Sequence, residues 1–164
     1  MSLSGPIRRE GEGRFGLHLG AKDREAIVAF TAQLRQILVN ESASSDPAVA
    51  RLFPAAHPDD IFRNLEFERT HAGSLLAGRL EALDVVERTA QAEVLTEDEL
   101  LAWLRSLNAL RLVLGTRLDI TEDTTEADFA GSDEAAGAFD LYGYLTWLEA
   151  AAVEALSTDL GGPA

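Results

Sequence analysis

The chain has 164 residues, of which 46% are hydrophobic and 26% are charged, and its net charge is −14. This composition is typical of a soluble globular protein, and the length predicts a single domain over residues 1–164. The absence of cysteine excludes disulfides, thiolate catalysis and zinc or iron–sulfur sites with cysteine ligands. The sequence lacks both a membrane-spanning run of roughly 18 apolar residues and a secretory signal, so we expect a cytoplasmic protein with no membrane association.

The charge is distributed unevenly along the chain. After Arg117 there are 11 acidic residues and no basic residue. Such a surface repels the phosphate backbone of nucleic acids, so we expect no nucleic-acid partner. An acidic surface could attract a basic protein, although the commoner role of such a surface is to keep a protein in solution.

Residues 1–20 are predicted to be extended. Phe15, Leu17 and Leu19 are two positions apart, which places their side chains on one face of a strand, and His18 on the other face. Glycines precede this segment at positions where a turn would connect it to another strand. The pattern predicts a small β-hairpin that lies on a helical core.

The first helix is predicted over Lys22–Val39, where apolar residues recur at three- and four-residue steps. A short second helix is predicted to begin at Asp46, because Asp is a favoured N-cap and Pro47 suits the first helical position.

A third helix is predicted to begin at Asp59 or Asp60 and to continue to Ala92. Its apolar spacing is close to 3.5 residues, as in helices that pack nearly parallel. Glycine is unfavourable in a helix interior, so we expect a bend or a break near Gly73.

A central helix is predicted over Leu100–Leu118. Thr96 and Glu99 before it have the spacing of a capping box, in which each side chain binds a backbone N–H at the start of a helix. Ten apolar residues other than alanine occupy nearly the whole circumference of the central helix. We therefore expect other helices to cover it on several sides.

The acidic segment 119–132 is predicted to be a polar loop, and its spacing does not match a calcium-binding loop. A last helix is predicted from Ser132 or Asp133 to about Ser157, followed by a frayed tail over 158–164. The predicted fold is therefore all-α: an irregular bundle of four main helices and one short helix, with a small N-terminal β-hairpin.

Two arginines on the central helix are the most informative candidates for a site. Arg111 and Arg117 lie on the two flanks of its apolar face, and Asn108 lies on the opposite side. A buried arginine needs a partner, for which Glu66 is a candidate, and an ion pair of this kind would fix the helix register. The alternative is a pocket of Arg111, Arg117 and Asn108 that binds an anion or a carboxylate.

Other chemistry has less support. Glu68 and His71 form one copy of the Glu-x-x-His step that helical bundles use twice in two-metal sites. Because a second copy is missing, we expect no metal site. The sequence also contains no glycine-rich phosphate loop and no serine in a nucleophile setting, so we expect no cofactor and no catalytic residue. Trp103 and Trp147 are predicted to lie in the core or in a dimer interface.

Four segments resemble a known family. They are RLFP at 51–54, EFERT at 66–70, AWLRSLNALRLVLGTRL at 102–118 and LYGYLTWL at 141–148. Together they are similar to an actinobacterial family known as domain of unknown function 2017, and the likeness extends over nearly the whole chain. The resemblance implies a small helical protein whose gene lies near that of the substrate adaptor of the Clp protease. It implies no activity and no site residue.

These observations favour a non-enzymatic protein that interacts with or regulates another protein, with a link to regulated proteolysis through the Clp system. The alternative is a sensor of a small molecule or anion. A metal-dependent enzyme that uses Glu68 and His71 is a third hypothesis with less support. A homodimer is also compatible with the two tryptophans.

Overall fold

The computed structural model describes residues 5–40 and 76–157, which form a mostly helical fold with a small antiparallel sheet. The elements in chain order are β1 (Ile7–Gly11), β2 (Arg14–Leu17), α1 (Ala21–Asn40), α2 (76–89), β3 (Val94–Thr96), α3 (Glu97–Arg117), a 3₁₀ helix (Glu126–Phe129) and α4 (Asp133–Ser157). The four α-helices of the described residues correspond to the four main helices that the sequence predicts. None of these helices is long and apolar enough to cross a membrane. The predicted helix at Asp46 and the predicted break at Gly73 lie outside the described residues.

The predicted N-terminal hairpin is present. β1 and β2 are antiparallel, and Gly13 between them has a φ of 68°, a backbone conformation that glycine adopts without steric cost. Phe15 and Leu17 are buried, as their alternation predicts, and His18 is exposed on the other face. The sheet nevertheless has three strands, because β3 pairs with β2.

β3 is the element that the sequence does not predict. It has only three residues, too few to show an alternating pattern, and it forms because Leu95 pairs with Phe15 on the open edge of β2. Its last residue, Thr96, is also the N-cap of α3. The predicted capping box is confirmed: Glu99 N donates to Thr96 Oγ1 at 3.2 Å, and Thr96 N donates to Glu99 Oε1 at 2.8 Å.

The central helix lies in the core, as its apolar circumference predicts. Trp103 is fully buried, and its indole N–H donates a hydrogen bond of 2.7 Å to the Thr89 hydroxyl of α2. That hydroxyl donates in turn to the Val85 carbonyl at 2.6 Å. The prediction of Trp103 as a core residue is confirmed.

Arg24 of α1 joins the sheet to the end of α2. Its guanidinium donates hydrogen bonds of 2.6–2.9 Å to four backbone carbonyls, those of Leu17, Leu19, Ala90 and Ala92. Helix α2 ends at residue 89, before the predicted end at Ala92. The carbonyls of Ala90 and Ala92 bind Arg24 where the chain leaves α2 and turns toward β3.

The acidic segment, predicted to be a polar loop, contains one short 3₁₀ helix of four residues. Phe129 at its end stacks on Phe139 of α4, with ring centroids 4.8 Å apart. The Ser132 hydroxyl accepts a hydrogen bond from Ala135 N at 3.0 Å, so Ser132 caps α4 at the predicted position. The residues of α4 that are buried against the core are Leu145, Leu148, Ala152 and Ala155.

Candidate functional site

Arg111 contacts Glu149 of α4, and the predicted partner Glu66 lies outside the described residues. Arg111 Nε and Glu149 Oε2 are 2.9 Å apart. The N–H is not directed at this oxygen, so the contact is an ion pair without a hydrogen bond. The side chains of Arg111 and Glu149 are only 29% and 17% exposed. This contact supports the interpretation of Arg111 as half of an ion pair that holds two helices together.

The surroundings of Glu149 act on its pKa in opposite directions. Burial raises the pKa of the carboxyl, the charge of Arg111 lowers it, and the net result is a pKa above the ordinary value of 4.5. Burial is the larger effect because the carboxylate loses water on entering the interface between α3 and α4.

The structure does not bring Arg111, Arg117 and Asn108 into one pocket. Arg117 is exposed and lines an apolar groove between α1, α3 and α4. Asn108 lines a separate cavity between α1, α2 and α3. A helical wheel shows the direction of each side chain around its own helix, but it does not show which neighbouring helix that side chain meets.

The cavity that Asn108 lines, here called the inter-helix cavity, has a volume of about 370 Å³. Its apolar lining includes the buried leucines of α1 and α2, and its polar lining combines α2 and α3. The polar residues are Arg79, Arg105, Ser106 and Asn108. Among them, only Asn108 is a site residue predicted from the sequence. The signal for the others on α3 was a cluster of polar residues over 105–108 in an otherwise apolar helix.

Trp147 lies on the outer face of α4 and is 53% exposed, so the structure excludes it from the core. Gly143 and Ala150, one turn before and after it, are also exposed. Asp140 and Glu154 are exposed two turns away in either direction, about 10 Å along the helix axis. We call these five residues the Trp147 face. Nearby on the same helix, the ring of Tyr144 lies 5.8 Å from the Trp147 ring.

Glu68 and His71, the candidate metal ligands, lie outside the described residues. Within residues 5–40 and 76–157, no group of three or more His, Cys, Asp or Glu side chains is arranged to hold a metal ion.

Comparison with known proteins gives one match. The model of a family described as a domain of unknown function (DUF2017) matches residues 4–156. A search of curated proteins and a search of solved structures found no match to the chain. The family match covers nearly the whole sequence, including the central helix and α4, and agrees with the resemblance seen in the sequence. The chain belongs to the DUF2017 family.

Proposed function

We propose that the protein is a non-enzymatic regulatory protein that binds a basic surface of another protein through the Trp147 face. The observation that carries this proposal is the exposure of Trp147, a side chain that is 53% accessible on a helix whose other face is buried. Tryptophan is strongly enriched among the residues that contribute most to protein–protein binding. Gly143 has no side chain and Ala150 has only a methyl group, so neither protrudes beside the Trp147 ring. A partner can therefore approach the ring closely.

Charge indicates the chemistry of the partner. Helix α4 has no basic residue, and its exposed carboxylates are Asp133, Glu134, Asp140 and Glu154. Its fifth carboxylate, Glu149, is paired with Arg111. A basic partner would gain from the potential around Trp147, both in its rate of encounter and in its specificity. A second copy of this chain would bring two acidic faces together, which like-charge repulsion disfavours. The proposal therefore commits to a different, basic protein.

The family resemblance suggests which protein to test first as the partner. It implies a gene near that of the Clp substrate adaptor, so we infer a role in regulated proteolysis in the cytoplasm of an actinobacterium. The purified adaptor is the first protein to test for binding, and a basic contact surface on it is required.

The test is a capture experiment with a matched control. The wild-type chain, Trp147→Ser and Val39→Ser are immobilised, and each is exposed to the purified adaptor and to lysate of the native bacterium. Val39 is 61% exposed on α1, so Val39→Ser removes an exposed apolar side chain away from α4. We expect the wild-type chain and Val39→Ser to retain the same partner, and Trp147→Ser to bind it at least about tenfold more weakly.

Two further measurements complete the test: the salt dependence of the complex and the oligomeric state by light scattering. Rising ionic strength should weaken the complex, because the attraction between an acidic face and a basic surface is screened. Retention of the partner by Trp147→Ser at wild-type strength would exclude the Trp147 face. Light scattering that shows a homodimer of the wild-type chain, and a monomer of Trp147→Ser, would replace the basic partner with a second copy of this chain.

A further inference from the structure

The inter-helix cavity contains a buried hydroxyl, that of Ser106, which makes no hydrogen bond to the described residues. Ser106 is 2% exposed and lines the cavity. A buried hydroxyl without a partner is unfavourable, and in native proteins it requires an explanation such as a bound molecule. Other helical hydroxyls here, such as that of Thr116, donate to the carbonyl four residues earlier, at 2.9 Å.

Two arginines line the same cavity as this hydroxyl. They are Arg79 and Arg105, and none of the described lining residues is acidic. Arg105 is exposed at the cavity and would pair with an anion bound there, and Asn108 would add an amide that can donate a further hydrogen bond.

The remaining described lining favours an organic ligand. Leu34, Leu38 and Leu83 are buried and form an apolar floor. A volume of about 370 Å³ is within the lower range of small-molecule pockets. A free phosphate or sulfate ion would leave this floor without a contact, whereas a carboxylic acid with a short apolar body contacts both parts of the cavity.

We propose that the inter-helix cavity binds a small organic carboxylate, with its carboxylate at Arg105, Ser106 and Asn108 and its apolar body on the leucines. Bidentate binding of a carboxylate suits the planar guanidinium of arginine. The site involves α1, α2 and α3, so it is independent of the Trp147 face on α4.

The test uses the full chain and named probes. Isovalerate and benzoate are titrated by calorimetry and by thermal unfolding, with isovaleramide, benzamide and inorganic phosphate as matched comparisons. At about ten times its Kd, a binding carboxylate should raise the Tm by about 3 to 6 °C. The two amides, which have the same shape without the charge, should produce a shift below 1 °C.

Three variants locate the site. Arg105 is exposed, so Arg105→Gln should fold normally and weaken carboxylate binding about tenfold or more. Ser106→Ala should also weaken binding while the unliganded protein stays at least as stable as wild type, because it loses only an unsatisfied hydroxyl. Arg88→Gln, which changes an exposed arginine of α2 outside the cavity lining, should bind as wild type does.

Equal shifts from carboxylates and amides, a shift from phosphate alone, or no shift from any probe would overturn the proposal. Unchanged carboxylate affinity in both Arg105→Gln and Ser106→Ala would also overturn it. Binding by Trp147→Ser should equal that of the wild-type chain, so the outcome does not depend on the proposed protein partner.

Discussion

Arg111 and Glu149 show how a helix with three arginines can occupy the centre of a fold. Each side chain is mostly buried, and each offsets the charge of the other across the interface between α3 and α4. We expect Arg111→Met to lower the free energy of unfolding at pH 7 by about 2 kcal/mol, because the mostly buried Glu149 carboxyl would lose the charge that offsets its burial. Urea unfolding measures this difference.

The double variant Arg111→Met, Glu149→Leu is the matched control for this prediction. It removes both charges and replaces them with apolar side chains of similar length, which is often neutral or stabilising. We expect its stability to lie within about 1 kcal/mol of wild type. A double variant as unstable as Arg111→Met would mean that the arginine stabilises the protein through contacts other than this ion pair.

The raised pKa of Glu149 also predicts a pH dependence. Between the unfolded value near 4.5 and the higher folded value, the folded protein binds more protons than the unfolded chain. The contribution of this group to stability is therefore complete below 4.5 and is lost as the pH rises through the folded pKa. We expect Glu149→Gln to reduce this decline, measured as the free energy of unfolding at several pH values between 4.5 and 7. An unchanged profile in Glu149→Gln would assign the decline to other groups.

At the scale of elements, Arg24 holds separate parts of the fold together. Its four hydrogen bonds join β2, α1 and the end of α2. We expect Arg24→Met to lower the free energy of unfolding by about 3 kcal/mol, since the carbonyls that it binds would lose a charged donor. Arg88→Gln, at an exposed position of α2, should change the stability by no more than about 0.5 kcal/mol. Equal stability of Arg24→Met and Arg88→Gln would contradict the role of Arg24.

The elements that the sequence predicts best are those with a strong local signal. Apolar periodicity predicts α1 and α3 to within a few residues, and the spacing of Thr96 and Glu99 predicts the capping box at the start of α3. β3 has no such signal, because its three residues are a strand only through pairing with β2. The 3₁₀ helix in the acidic segment likewise depends on a distant contact, that of Phe129 with Phe139.

The candidate sites depend on the whole molecule, which explains why the sequence predicts them only in part. Asn108 was identified from its place on the central helix, but its neighbour Arg79 belongs to α2, and only the packed fold brings them to one cavity. Trp147 has the same apolar character as Trp103 in the sequence. The fold gives the two tryptophans different surroundings. Trp103 of α3 is buried and binds Thr89 of α2, whereas Trp147 faces outward from α4.

The most direct test of the Trp147 face is fluorine NMR of the chain labelled with 5-fluorotryptophan. The protein has two tryptophans, and the spectrum of Trp147→Phe assigns their resonances. When the partner retained in the capture experiment is added, we predict that the Trp147 resonance shifts or broadens while that of the buried Trp103 stays unchanged. Saturation of the chain with that partner without a change at Trp147 would contradict the proposal that this face is the binding surface.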